Sequence, residues 1–407
     1  MMKTAMAAFI LRVKILSYTL LFSLQRFMVR AARLLPGSWT VLRIPRWEID
    51  DVKTWVAEKL REGKTFGAEA NLPRYLSFGS PSQVPRRNKL PPELDRVHPQ
   101  LQQENIEFRQ PFLVSLPSGL LLGPNGCVIT PDGGIVTQSI WTRGLFEQDR
   151  IFRSLRLPEP QFLPGSYYTI ASPYSSGYYH WVVEVLPRLF AYESVAKDRP
   201  RLVVNSPLNR WQLESLKLLG FPDEDLVELG TDYLQLEKLY FPAYIGINPY
   251  CLDWIRERLF ATVAPEPTPK RIYITRRLAT KRRLINENEI DSVLQQHGFI
   301  IAELETLSFV EQVQLFSQAE IVVAPHGAGL TNMVWGPRNC KVMEIHHPDY
   351  LNFMYYMLAE VLHQRYWCCV GTPAGDDSVR HGGTHGHGDL TISVDLFTDT
   401  LSRMLEA

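Results

Sequence analysis

Apolar and polar positions alternate in two different textures along this chain. Between residues 111 and 140, short apolar runs are separated by Pro-Asn-Gly and Pro-Asp-Gly-Gly, a pattern of antiparallel strands joined by tight turns. Between 167 and 250, helical and strand patterns mix: RLVVN reads as a short strand and NRWQLESLKLLGF as a helix closed by Gly220. Past residue 270 the alternation becomes regular. RIYIT is a buried strand, Asn286 with Glu289 opens a helix that Gly298 ends, and FIIAEL is the next strand. Ser308 and Glu311 form a second capping box ahead of FVEQVQLFSQA, after which IVVA, KVMEI and RYWCCV supply three more strands. Strands and helices in strict succession predict a parallel sheet covered by helices on both faces, a Rossmann-like α/β domain. VAPEPTPK, with three prolines in eight residues, is the expected linker into it. The expected organisation is therefore an N-terminal segment (1–40), a first domain (41–262), the linker (263–270) and a second domain (271–375). A Gly/His-rich loop and C-terminal helix (376–407) complete it.

Composition narrows the class. With 407 residues, 45% hydrophobic and 21% charged, the chain has room for two domains and is too apolar for wholesale disorder. Its 43 basic and 43 acidic residues cancel, which argues against nucleic acid as the main partner. The five cysteines include no C-x-x-C pair and no N-x-S/T sequon occurs; both features favour a reducing, cytoplasmic setting. The N-terminus is one-sided: Lys3, Arg12, Lys14, Arg26, Arg30, Arg33 and Arg43 all precede Glu48, the first acid. Arg12 and Lys14 interrupt the apolar stretch and leave ten clean residues, Ile15 to Leu24, against about 20 for a membrane span. Arg12, Thr19, Ser23, Arg26, Arg30 and Arg33 share one helical face. Such a basic amphipathic helix suits the surface of an anionic membrane, or packing on the domain or a second copy; a type II membrane anchor is the alternative. His381, His385 and His387 lie among glycines, and this tract reads as a loop rather than a metal site.

Candidate chemistry gathers at strand ends. IVVAPHGAGLTN leaves a strand through Gly327 and Gly329, which let a ligand approach the backbone without a Cβ in the way. Exposed N–H groups and the dipole of a following helix make an anion site, most naturally for phosphate, to which His326 could donate; Asn332 belongs to the same motif. RIYIT is followed by Arg276, Arg277, Lys281, Arg282 and Arg283, five cations in eight residues. Arg276, immediately after the strand, is the expected diphosphate ligand, and Arg283 is counted with it, whereas Arg277, Lys281 and Arg282 read as a solvated loop. Glu344, at the end of KVMEI, stands where an acidic residue accepts ribose hydroxyls, or caps or pairs with a basic loop residue. In SSGYYHWVVEVLPRLFAY, helical spacing puts His180, Glu184 and Arg188 on one face, and a His and a carboxylate one turn apart can work as a general base with its orienting partner. A salt-bridged polar face is the plainer alternative, and Pro187 predicts a short or kinked helix. Asp223-x-Asp225 has the form by which metal-dependent transferases hold a sugar nucleotide, but it precedes a helix, where N-terminal charges explain it. Walker A and G-x-S-x-G sequences are absent.

Taken in order, YYHWVVEVLPRL, RIYITRR, RRLINENEI, GFIIAELETLSFVEQVQLFSQAEIVVAPHGAGLTNMVW and VMEI resemble glycosyltransferase family 61, over roughly residues 167 to 345. The resemblance implies a GT-B architecture, with two Rossmann-like domains facing across a cleft, here with a β-rich N-terminal portion. It implies an inverting, metal-independent transferase that uses a nucleotide sugar, usually UDP-linked, as substrate and needs no cofactor. Arg276, His326, Gly327, Ala328 and Gly329 would then surround the diphosphate, and His180 or Glu184 would activate the acceptor hydroxyl. The charged N-terminus and unpaired cysteines look more like a bacterial cytosolic relative, a kind associated with polysaccharide or glycolipid synthesis. A non-catalytic nucleotide- or glycan-binding protein of the same fold is the second expectation, and a metal-dependent enzyme using Asp223 and Asp225 the third.

Overall fold

The computed structural model describes residues 23–24, 27–29, 31–34, 38–66, 72–140, 154–243, 246–265, 268, 270–375 and 388–407. The expected His-rich loop, most of the N-terminal helix and part of the linker lie outside these residues.

The apolar runs of the first half pair into a nine-stranded mixed sheet. The strands before residue 140 are β1 (Trp47–Ile49), β2 (Arg74–Ser77), β3 (Ser82–Pro85), β4 (Asn105–Phe108), β5 (Phe112–Leu122), β6 (Cys127–Ile129) and β7 (Gly134–Val136). After them come β8 (Gln161–Thr169), β9 (Arg201–Asn205), β10 (Leu226–Leu229) and β11 (Tyr233–Pro242). The sheet order is β1-β7-β6-β5-β11-β8-β9-β10, with β2 on β5, while β3 and β4 pair with each other. From β11 through β8 and β9 to β10 the pairing is parallel. From β11 through β5 and β6 to β7 it is antiparallel. The first half is therefore not a pure Rossmann-like sheet. Its two glycine turns, with Gly126 and Gly133 at φ of 73° and 91°, reverse the chain into hairpins.

The second half follows its predicted alternation. β12 (Lys270–Ile274), β13 (Phe299–Ala302), β14 (Ala319–Pro325), β15 (Lys341–His346) and β16 (Arg365–Val370) form a parallel sheet in the order β13-β12-β14-β15-β16. Period-two alternation sends Tyr273, Ile321, Val323 and Met343 to one face, against Ile290, Leu294, Phe397 and Leu401. Ile272, Ile274, Val322 and Val342 go to the other, with Phe309, Val313, Leu330 and Tyr355. The principal helices of the whole chain are α1 (Val52–Phe66), α2 (Arg210–Leu218), α3 (Pro249–Phe260), α4 (Glu287–Gln296), α5 (Phe309–Phe316), α6 (Met354–Leu362) and α7 (Val394–Glu406). The Ser308–Glu311 capping box opens α5 as expected. A short pair, β17 (Thr372–Pro373) with β18 (Leu390–Thr391), adjoins this half.

One apolar cluster runs through both halves. Leu202, Val204 and Tyr240 of the first sheet and Ile272, Val322 and Val342 of the second belong to it, bridged by residues 181–195, α3 and α5. The segment before β5 also crosses over: the buried Glu360 carboxylate on α6 accepts the backbone N–H groups of Arg87 (2.8 Å) and Asn88 (2.9 Å). His98 bonds the carbonyl of Leu351 through Nε2 at 2.6 Å. At the N-terminus, Arg33 pairs with Glu48 at 3.5 Å and Val29 is buried, while Leu24, Phe27 and Leu34 are exposed. No helix among the described residues is long and apolar enough to cross a membrane.

Glu360→Ala removes two hydrogen bonds to a charged acceptor and leaves two inward N–H groups without it. It should cost about 2–3 kcal/mol of stability in urea unfolding, with cleavage near residue 87 in limited proteolysis.

Candidate active site

The strand order of the second sheet reverses between β12 and β14, and ligands of open α/β sheets bind outside the carboxyl ends of strands at such a point. Arg276 follows β12 and His326 follows β14, so the two predicted motifs meet there. The fit is tight. A Cβ on Gly327 would lie 1.8 Å from Nη1 of Arg276, so the missing side chain makes room for a guanidinium of this chain rather than directly for a ligand. Gly329 packs instead: a Cβ there would meet Leu304 and Ile274 at 3.0 and 3.1 Å. Beyond Gly327, Ala328–Trp335 form a 3-10 helix whose first residue, Ala328, is exposed. The leading N–H groups of a helix have no partner within it.

Arg276 donates to the carbonyls of Arg282 (Nε, 3.1 Å) and Lys281 (Nη2, 2.7 Å) and makes no ion pair among the described residues. Burial lowers its pKa, and the neighbouring Arg282 charge lowers it further. Arg282, whose pKa burial also lowers, donates from Nε to the His326 carbonyl at 3.3 Å and lies over the Tyr350 ring at 5.0 Å. Two partly dehydrated guanidinium groups thus press on one turn, an arrangement that an anion would relieve. Arg282 was expected to be solvated. Its left-handed backbone, φ 54°, folds the loop back over the turn, and the sequence carries no signal for that at a non-glycine residue.

Arg283 departs from expectation in the opposite sense. It is exposed and committed to Asp389, through Nη2 at 2.7 Å and Nε at 3.2 Å. Arg277 pairs with Glu287 (2.5 Å) and Asp291 (3.1 Å) of α4, a structural role. Asn332 is also corrected. Fully buried, it accepts from the Tyr178 hydroxyl at 2.7 Å and donates to Gln312 (2.9 Å) and the Gly329 carbonyl (3.1 Å), tying the two halves together.

Glu344 has no exposed surface from which to meet a ribose. One carboxylate oxygen bonds Nδ1 of His326, and the other accepts from the Tyr366 hydroxyl at 2.5 Å and lies 3.4 Å from Nε2 of His346. Burial pushes its pKa up, but His346, His326 and the hydrogen bonds they and Tyr366 provide outweigh it and hold the carboxyl below its usual value. Burial lowers the pKa of His346. His326, Glu344 and His346 each offer a ligand atom, all within 4.8 Å of one another, so they are a group among the described residues that could hold a metal ion.

The second dyad forms as spaced. His180 Nδ1 bonds Glu184 Oε2 at 2.6 Å, with the imidazole 25% exposed and the carboxylate 6%. The helix that carries them is irregular, π-helical over Trp181–Val185 and 3-10 over Leu186–Asp198. Pro187 has no N–H to close an α-helical bond, and π-helical turns occur often at functional sites. Arg188 is buried below, donating to the carbonyls of Ile170 and Ala171 at 3.2 and 3.1 Å. Tyr355 links the two regions. Its hydroxyl donates to the Gly327 carbonyl at 2.7 Å, and its ring lies 5.4 Å from that of His326 and 5.8 Å from that of Tyr179, next to His180. Neither Tyr355 nor α6 was legible as part of a site, because MYYMLAEVL is apolar nearly all round.

Residues 178–343, which carry the dyad, both arginines and the glycine turn, match the family model described as Glycosyltransferase 61. That match supports glycosyltransferase family 61 as what this part of the chain is similar to. The family carries with it transfer from a sugar donor to a glycan acceptor. No curated protein matches the chain. Within the matched segment, Asp223 and Asp225 are exposed at the amino end of β10, with Asp223 paired to Lys217 at 2.9 Å.

Asn332→Ala leaves Tyr178 and Gln312 without their buried partner. The expected result is a loss of about 1–3 kcal/mol in denaturant unfolding, measured alongside Arg283→Ala as a surface comparison that changes far less.

Proposed function

We propose that this chain is an inverting, metal-independent glycosyltransferase of GT-B architecture, moving a hexosyl or pentosyl group from a UDP-linked donor to a hydroxyl of a glycan or glycolipid. The observation that carries this reading is the meeting at Tyr355 of a cationic turn from one half of the chain and, from the other, of Tyr179, which adjoins His180 of the His–Glu dyad. The diphosphate lies against Arg276, Arg282 and the backbone amides of Ala328 and Gly329. His326, oriented from Nδ1 by Glu344, presents Nε2 to the same group. These donors oppose the negative charge that grows as the bond from the anomeric carbon to the diphosphate breaks.

On the acceptor side His180 is the better base of the two candidates. Glu184 is buried and bonds Nδ1, the imidazole is the more exposed of the pair, and Nε2 is the nitrogen assigned to take the acceptor proton. Glu184 orients it. The exposed Leu24, Phe27 and Leu34 support a peripheral membrane contact on the cytoplasmic side, where a glycolipid acceptor would be met.

Calorimetric titration of the full chain with UDP in excess EDTA should show saturable binding that Arg276→Ala weakens at least about ten-fold. Absence of binding by folded protein both with and without EDTA overturns the donor site. The His326, Glu344 and His346 geometry favours a second reading, a buried divalent metal; loss of UDP binding on chelation, with metal found by elemental analysis beforehand, would select it. In a turnover assay with UDP-sugar donors, His180→Ala should lower kcat by roughly 10²–10⁴-fold with little change in donor KM.

A further inference from the structure

The loop that leaves β8 carries a tyrosine whose ring lies flat on the proposed base. The ring centroids of Tyr174 and His180 are 4.9 Å apart with 25° between their planes. Local hydrogen bonds hold that loop in place. Ser175 N donates to the Ser172 carbonyl (3.3 Å), Gly177 N to the Tyr174 carbonyl (2.9 Å), and Trp181 N to the Gly177 carbonyl (2.9 Å). Two outside groups fix it further: the buried Gln212 of α2 donates to the Ser175 carbonyl at 3.0 Å, and Asn205, ending β9, accepts from Ser172 N at 2.8 Å. The loop that carries the stacked ring is thus anchored to two neighbouring elements of the first half.

The imidazole is gripped from several directions. Glu184 holds Nδ1, Tyr174 covers a face, and the Tyr179 ring stands edge-on at 5.4 Å. At the Cδ2 edge there is room only for glycine without adjustment, since a Cβ on Gly177 would come within 3.2 Å of that carbon. A carboxylate alone fixes one point of an imidazole and leaves the ring free to swing about that hydrogen bond. A parallel aromatic ring removes the swing by fixing the plane.

We propose that Tyr174 is a positioning residue, fixing the plane of His180 so that Nδ1–H stays on Glu184 and Nε2 is kept as the nitrogen that accepts a proton. This rests on His180 being the base of the proposed function. In that step the acceptor O–H bond breaks, its proton goes to Nε2, the oxygen bonds the anomeric carbon, and the bond to the diphosphate breaks with its electron pair leaving on the diphosphate. The role belongs to the ring of Tyr174, so phenylalanine should fill it.

The test uses the full chain without substrate, by nitrogen-15 NMR of the histidine ring nitrogens, with the His180 signals assigned from His180→Ala. Wild type and Tyr174→Phe should show neutral His180 as one dominant Nδ1–H tautomer. Tyr174→Leu should shift the tautomer ratio toward Nε2–H by roughly ten-fold, with unfolding unchanged. Gly177→Ala, which crowds the ring from its Cδ2 edge, should disturb the same signals and serves should the leucine variant not fold. A wild-type His180 spectrum in Tyr174→Leu overturns the inference, as does a Tyr174→Phe spectrum as altered as that of the leucine variant. Because this readout needs no turnover, its failure is distinct from failure of the proposed function, which His180→Ala kinetics and UDP titration decide.

Discussion

Glu344 has no contact with water, and a carboxylate so placed must be met by donors on every side or it will not remain charged. The geometry around it follows from that demand. Tyr366 on β16 and His346 on β15 close one oxygen, and the other is left for the first residue beyond β14. His326 is drawn inward to supply it. Its backbone continues the ladder, with His326 N donating to the Ile345 carbonyl at 2.8 Å, so side chain and main chain are fixed together. The chain must then turn at once. Gly327 makes that turn with extended backbone, and the space beside it admits the guanidinium of Arg276. A residue with no access to solvent thereby sets where the glycine turn and its arginine can be.

The same device appears twice. Each half of the site contains a histidine whose Nδ1 is bonded to a more deeply buried glutamate, His180 on Glu184 and His326 on Glu344. In both, the bond to the carboxylate at Nδ1 sets which ring nitrogen carries the proton when the ring is neutral. The difference lies in the surroundings. His326 is enclosed by His346, Tyr350 and Tyr355, next to two guanidinium groups, whereas His180 keeps a quarter of its side chain open. An enclosed histidine beside cations suits a fixed anion, and an open one suits an exchanging proton.

Local signals were the legible ones. The alternation after residue 270, both hairpin turns, the Ser308–Glu311 cap and the one-turn spacing of His180 and Glu184 follow from periodicity and turn chemistry that neighbours in sequence determine. Motifs at strand ends also placed Arg276 and His326 on a common sheet edge. What each side chain does there depended on distant partners. Glu344 reads as ligand-facing until Tyr366 and His346 claim it, Asn332 until Tyr178 reaches it from 154 positions away, and Arg283 until Asp389 does from 106. Arg282 and Tyr355 were missed for the converse reason. A left-handed arginine and an all-round apolar helix give no sign of a site until the fold brings them over one.

The apolar cluster common to both sheets has a consequence for how this architecture can change. Where donor and acceptor modules each own a core, one can be exchanged for another by cutting the linker between them. Here Leu202 and Tyr240 share a core with Ile272 and Val322, and the segment around Asn88 is bound to α6. A graft at residues 263–270 would expose half an interior on each piece. New specificity in such a chain is more readily acquired through the loops at the strand ends than by recombination of halves.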